Sequence, residues 1–255
     1  MRHVPTLVRR ELGAYFLGPM AWLILLGFQA IAWLNFWDLV EMLASPQRGL
    51  SKLSDPMVNY ISGSMPFWIA VMVAVPALTM RLLAEEKRSG TIETLLTVPV
   101  TEVEVVTSKW LAGVVMFLVL LIPYVLYLPF LYTQGEYHFD LGPVISLAIG
   151  LTTMGMMFVA IGVFFSALSR NQIVAAIGTF VVLFLMLMLT FLGYRYAAAR
   201  GETWAEALKF CSILYQAHGF GVGQLDLRVL TLHLSVVVFM LYLAVKVLSS
   251  REARG

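Results

Sequence analysis

QIVAAIGTFVVLFLMLMLTFLGY, residues 172–194, contains no Asp, Glu, Lys or Arg. A bilayer hydrocarbon core of about 30 Å takes about 20 apolar residues at a helical rise of 1.5 Å each. The stretch therefore reads as a transmembrane helix. Five further segments meet the same requirement: 14–37, 58–80, 110–132, 143–167 and 229–248. Helix breakers lie between them, among them Ser45-Pro46-Gln47-Arg48-Gly49 and Asp140-Leu141-Gly142-Pro143. The reading is a single all-α membrane domain over residues 1–255 with six transmembrane helices, a charged hairpin at 81–109 and an extracytoplasmic re-entrant segment at 195–228.

Composition agrees. The chain is 60% hydrophobic and 13% charged, whereas a soluble domain carries about 25% charged residues. That little charge cannot cover a water-exposed surface, so most of this one faces lipid. A net charge of +2 gives no reason to expect nucleic acid as a partner. The single cysteine, Cys211, excludes an intramolecular disulfide and a cysteine-rich metal site.

Basic residues set the orientation. With the N-terminus in the cytoplasm, 11 of the 17 Lys and Arg residues fall on the cytoplasmic side, including Arg9, Arg10, Arg81, Lys87, Arg88 and Lys109. This bias predicts cytoplasmic termini. Arg2, Arg9 and Arg10 precede an apolar run longer than a signal-peptide core, with no small-residue cleavage site after it, so the first span is expected to be retained. Residues 1–13 form an amphipathic leader: Leu7, Val8 and Leu12 share one side of a helix, opposite Arg9 and Arg10. This is either an interfacial helix or a topogenic leader.

The spans are more informative for what they lack. The first five hold no charged residue; the sixth has Lys246 near one end and His233 near the other. Ion-driven transport needs an ionisable site in the membrane, and none is available, so energy must come from outside these helices. The four histidines are scattered and fit no metal site, and Gly219-Phe220-Gly221-Val222-Gly223 follows no strand that would make it a phosphate loop. Pro76, Pro123 and Pro129 should kink their helices. Thr152, Thr153, Gly155 and Gly162 are of a size that lets helices approach, and the methionines around Met154 and Met186 read as adaptable packing.

The hairpin reads RLLAEEKRSGTIETLLTVPVTEVEVVTSKW from Arg81. Its first part extends span two and stops at Gly90, a C-cap. Thr91 can cap a short helix ending before Pro99, with Glu93 favourable near its start. Thr101 and Glu104 have the spacing of a capping box opening the run into span three. Within the short helix, Ile92, Leu95 and Leu96 share a face. An apolar stripe in a charged loop is either a partner surface or a helix resting on lipid headgroups.

The run EEKRSGTIETLLTVPVTEVEVVTSKWLAG resembles the signature of ABC-2 type transporter permeases, in position as well as in sequence. Arg9-Arg10-Glu11-Leu12 and Leu168-Ser169-Arg170-Asn171-Gln172 resemble that family's leading segment and its second cytoplasmic turn. Length, Pro76 and Gln224-Leu225-Asp226-Leu227-Arg228 resemble the gliding-motility-associated group; Gly219 and Gly223 depart from it. The resemblance implies a type V exporter-like fold with an N-terminal interfacial helix and a cytoplasmic coupling helix, in a bacterial cytoplasmic membrane. It implies that Thr91, Ile92, Glu93, Leu95, Leu96 and Pro99 dock on a separate ABC ATPase. Glu85, Glu86, Lys87 and Gly90 would fix that approach, and Arg10 and Glu11 would touch the ATPase from the side. Implied partners are two ATPase copies, which bind the ATP and Mg, a second permease half, identical or not, and an optional extracytoplasmic accessory protein. No cofactor is expected on this chain, and no catalysis by it.

Two other function classes remain open from the residues. An intramembrane enzyme acting on lipid or peptide needs converging acid, base or metal groups. The nearest acidic pair, Glu85 and Glu86, diverges by about 100° on a helix. A non-transporting membrane anchor needs none of these features.

Overall fold

Segments apolar all round are stable in a bilayer as helices, because only a helix satisfies its own N–H and C=O groups there. The computed structural model describes residues 3–44, 58–90, 101–129 and 141–252, and these are almost wholly helical, with no strand among them. In chain order they form α1 (Val4–Leu17), α2 (Pro19–Ala44), a π-helical turn (Val58–Ser62), α3 (Met65–Thr79), α4 (Ala84–Ser89) and α5 (Glu102–Leu126). Then follow α6 (Leu141–Leu168), α7 (Gln172–Ala199), α8 (Ala205–Cys211), α9 (Ile213–Gly221) and α10 (Leu227–Glu252). Among the described residues six stretches are long and apolar enough to cross a membrane: α2, α3 with α4, α5, α6, α7 and α10.

Local sequence explains where these helices begin and stop. The first apolar run divides at Gly18, which is extended at ψ 139°, because Pro19 drives its predecessor out of the helical region. Ala14–Leu17 therefore belong to α1, and the first span starts at Pro19 rather than at residue 14. Span two starts at Ser64, whose hydroxyl accepts from Phe67 N at 3.3 Å. Gly90 stands at φ 73° after α4, the left-handed helix end that a glycine allows. Thr101 opens α5 with the full capping box: its hydroxyl accepts from Glu104 N at 3.3 Å, and its own N–H donates to Glu104 Oε2 at 3.2 Å.

The centre of the bundle is α3, α5 and α6, with 72%, 61% and 61% of their spanning stretches buried. The corresponding 28%, 22% and 22% for α2, α7 and α10 put those helices at the periphery. Glycines on α6 make it the hub. A Cβ on Gly150 would fall 2.2 Å from Phe220 of α9, one on Gly155 2.2 Å from Phe117 of α5, and one on Gly162 2.1 Å from Thr79 of α3. Thr153 and Thr152 divide. Thr153 Oγ1 lies 3.0 Å from His233 Nδ1, while Thr152 is turned outward and donates to Ala148 O of its own helix.

Between α7 and α10 the chain folds back as α8 and α9, on the side of the bundle away from the hairpin stems. The glycines at 219–221 continue the helix. Gly221 presses against Ser62, where a Cβ would come within 2.7 Å of its Oγ, and Gly223 at φ 91° makes the turn towards α10. The buried His233 bridges Thr153 to Gln216 of α9, its Nε2 3.0 Å from Gln216 Oε1. Gln216 Nε2 donates to Phe210 O at 2.7 Å, which fixes Oε1 as an acceptor and hence places a proton on His233 Nε2.

Candidate functional site: the clamped hairpin stems

Gly90 and Thr101 are the described residues on either side of the hairpin tip, 91–100. Thr91, Ile92, Glu93, Leu95, Leu96 and Pro99 lie outside the described residues. The stems leading to that tip are held by polar contacts from four separate parts of the chain.

The descending stem is broken. The α-helix of span two stops at Thr79, passes through a turn at Met80–Leu83 and resumes as α4. Leu83 offers no side-chain cap for α4, so the freed backbone groups need another partner. Ser166 of α6 supplies it: its hydroxyl accepts from Leu83 N at 3.0 Å and Ala84 N at 3.1 Å, and donates to Met80 O at 3.0 Å. One donor and two lone pairs are all that a serine hydroxyl has, and all three are used. Gly162, one turn earlier, is what lets α6 come this close. Lys87 turns inward, buried, and its Nζ donates to Ala167 O. A cation on the last carbonyls of α6 is the favourable end of its dipole.

The ascending stem is held by charge. Lys109 of α5 is almost fully buried and its Nζ lies 2.8 Å from Glu86 Oε1 and 3.2 Å from Glu11 Oε1. Arg10 closes the set, 2.9 Å from Glu11 and 3.6 Å from Glu86, on the exposed side. Two cations and two carboxylates alternate, so the cluster as a whole is neutral, with Arg10 supplying its second positive charge from the rim. Above them, Tyr15 donates its hydroxyl proton to Leu78 O at 2.7 Å. Burial pushes that phenol well above its ordinary range, keeping it a neutral donor. Arg81 stacks over the same ring at 5.5 Å and directs its guanidinium at Gly18, where a Cβ would meet it at 3.1 Å.

The residues expected at an ATPase contact thus divide. Glu85 and Gly90 are exposed at the stem surface, with Arg88 beside them. Glu11, Glu86 and Lys87 face the interior of the chain, and Arg10 lies at the rim of the same cluster. Glu86 Oε2 is buried and meets no donor among the described residues. Lys109, Ser166 and Ala167 were not among the expected site residues. Lys109 carried a readable signal: Val105, Val106, Ala112 and Gly113, three and four residues to either side, are all buried apolar or small positions. A lysine at the centre of such a stripe has to be paired. Ser166 had no comparable signal, because the helix break it repairs is a tertiary feature.

The arrangement brings two carboxylates, two lysines and an arginine together with backbone groups of α3 and α6. No group of three His, Cys, Asp or Glu side chains able to hold an ion occurs among the described residues. What it does is mechanical: it ties α1, the α3–α4 stem, the start of α5 and the end of α6 into one body around the base of the hairpin. Residues 40–218 match the sequence model of a known family, described as ABC-2 family transporter protein. A comparison with curated proteins found no match.

Proposed function

This chain belongs to the ABC-2 family of transporter proteins, matched over residues 40–218, and from that premise we propose that it is the permease subunit of an exporter driven by a separate ABC ATPase. The clamp at the base of the hairpin carries the reading. A tip anchored on both sides by buried polar contacts passes a push directly to the bundle, whereas a loose loop would absorb it.

In this account the tip, with Ile92, Leu95 and Leu96, is a coupling helix seated in a groove of the ATPase, and Glu85 and Gly90 border the contact. Closure of two ATPase copies around ATP and Mg moves the tip. Lys109 passes that movement to α5 and α1, and Ser166 and Lys87 pass it to α6. The outcome is a rigid-body displacement of one permease half against a second. Both termini lie in the cytoplasm of a bacterium, with the re-entrant α8–α9 segment outside and available to an accessory protein. Spans without charge suit an amphiphilic, peptide or lipid-linked cargo, and the segment before span six resembles that of the gliding-motility-associated permeases.

The test is co-purification with candidate ABC ATPases co-expressed with this chain. Leu95→Asp with Leu96→Asp places two charges on the apolar face without touching the stems. It is expected to reduce recovery of the ATPase at least tenfold while the chain itself remains monodisperse. Undiminished recovery contradicts the docking assignment.

A further inference from the structure

Helices α5 and α6 pack tightly over one half of their length and part over the other. Close contact is made where Gly113 lies against Val159, with a Cβ position 2.8 Å away, and where Gly155 lies under Phe117. Towards the end remote from the hairpin neither helix offers a glycine to its partner, and between them runs a cleft of about 380 Å³. Its floor is Leu121, Leu147 and Leu151, all buried, and its rim is Ile122 and Ile145, both strongly exposed.

We propose that this cleft binds one acyl chain of a phospholipid from the leaflet remote from the hairpin. Water is a poor occupant, because a stable buried water needs two or more polar partners. The two polar side chains at the walls, Thr152 and Tyr124, are each already engaged in a hydrogen bond within the protein, and the rest of the lining is apolar. Thr152 donates to Ala148 O at 2.7 Å, and the Tyr124 hydroxyl accepts from Asn35 Nδ2 of α2 at 3.0 Å. The rim side chains are those a membrane span presents to lipid tails, so hydrocarbon reaches the opening without crossing any polar surface.

Size separates an acyl chain from a protein partner. From Val144 to Leu151 the α6 wall is about 10 Å long. A partner helix about 10–12 Å across occupies about 800 Å³ or more over that length, roughly twice the cleft. With about 30 Å³ for a water-sized group, the cleft holds about a dozen such groups. That fits one methylene chain lying along the helices.

The test uses the full chain reconstituted in phosphatidylethanolamine and phosphatidylglycerol vesicles, extracted in maltoside detergent and washed to constant phospholipid content. Wild type should retain about one phospholipid per chain more than Ala148→Trp, which fills the cleft. Val238→Trp, on the exposed face of α10, should match wild type. Equal retention by wild type and Ala148→Trp overturns the proposal. A photoreactive benzoylphenylalanine at Ile122 gives a reading independent of how well the tryptophan variant folds. A mass increment of one phospholipid after irradiation supports the site, and an adduct to another protein chain, or none to lipid, overturns it.

Discussion

Lys109→Met should be the most damaging single substitution on the stem side of the bundle. It leaves Glu11 and Glu86, both largely buried, facing each other with only the rim cation Arg10 between them. Removing one partner of a buried ion pair costs about 3–5 kcal/mol, because the remaining charge is uncompensated. That is a large share of the about 5–15 kcal/mol by which proteins are stable. Thermal unfolding in detergent is expected to show the loss, and amide exchange should localise it to α1 and α4. Adding Glu11→Gln and Glu86→Gln to Lys109→Met is expected to restore most of it, since replacing a whole buried charge set is often neutral. No recovery in the triple variant would show that Lys109 acts by packing and not by charge.

Gly155→Ala is expected to be the next largest effect. The added Cβ falls 2.2 Å from the Phe117 ring, and Phe117 is buried. Overpacking of a filled interior costs about 1–3 kcal/mol, and here it separates α5 from α6 at their tightest crossing. Phe117→Leu in the same chain should recover part of the loss. That coupling, measured as a double-mutant cycle in thermal unfolding, is expected to exceed about 0.5 kcal/mol. Gly13, which has open space around its Cβ position, serves as the control, with Gly13→Ala close to wild type.

Much of the fold could be read from residues because its determinants are local. Apolar length alone marks six spans, and the Thr101–Glu104 box and the Gly90 stop appear where their spacing puts them. The Gly18-Pro19 break is equally local, yet the continuous apolar run across it concealed the boundary between α1 and α2. The clamp was less legible. Its contacts join Lys109 to Glu11, 98 positions away, and Ser166 to Leu83, 83 positions away. A glutamate beside a basic residue reads the same whether it meets a partner protein or the protein's own lysine. For that reason Glu85 and Glu86 look equivalent in sequence, while the structure turns one outward and the other inward. His233 is a similar case. At the level of sequence it is a polar residue near a span end, and only the return of α9 into the bundle makes it the bridge between α6 and Gln216.

The proposed transport depends on an external ATPase docking on the hairpin tip. It is tested most directly by placing a single cysteine at Leu95 in a Cys211→Ser chain co-expressed with the ABC ATPase that co-purifies with it and adding a short bifunctional thiol reagent. The expected result is a covalent adduct between the two proteins whose yield changes when ATP is supplied, with no adduct from a cysteine at Leu225 beyond α9. An ATPase that co-purifies but cross-links from Leu225 and not from Leu95 would contradict it.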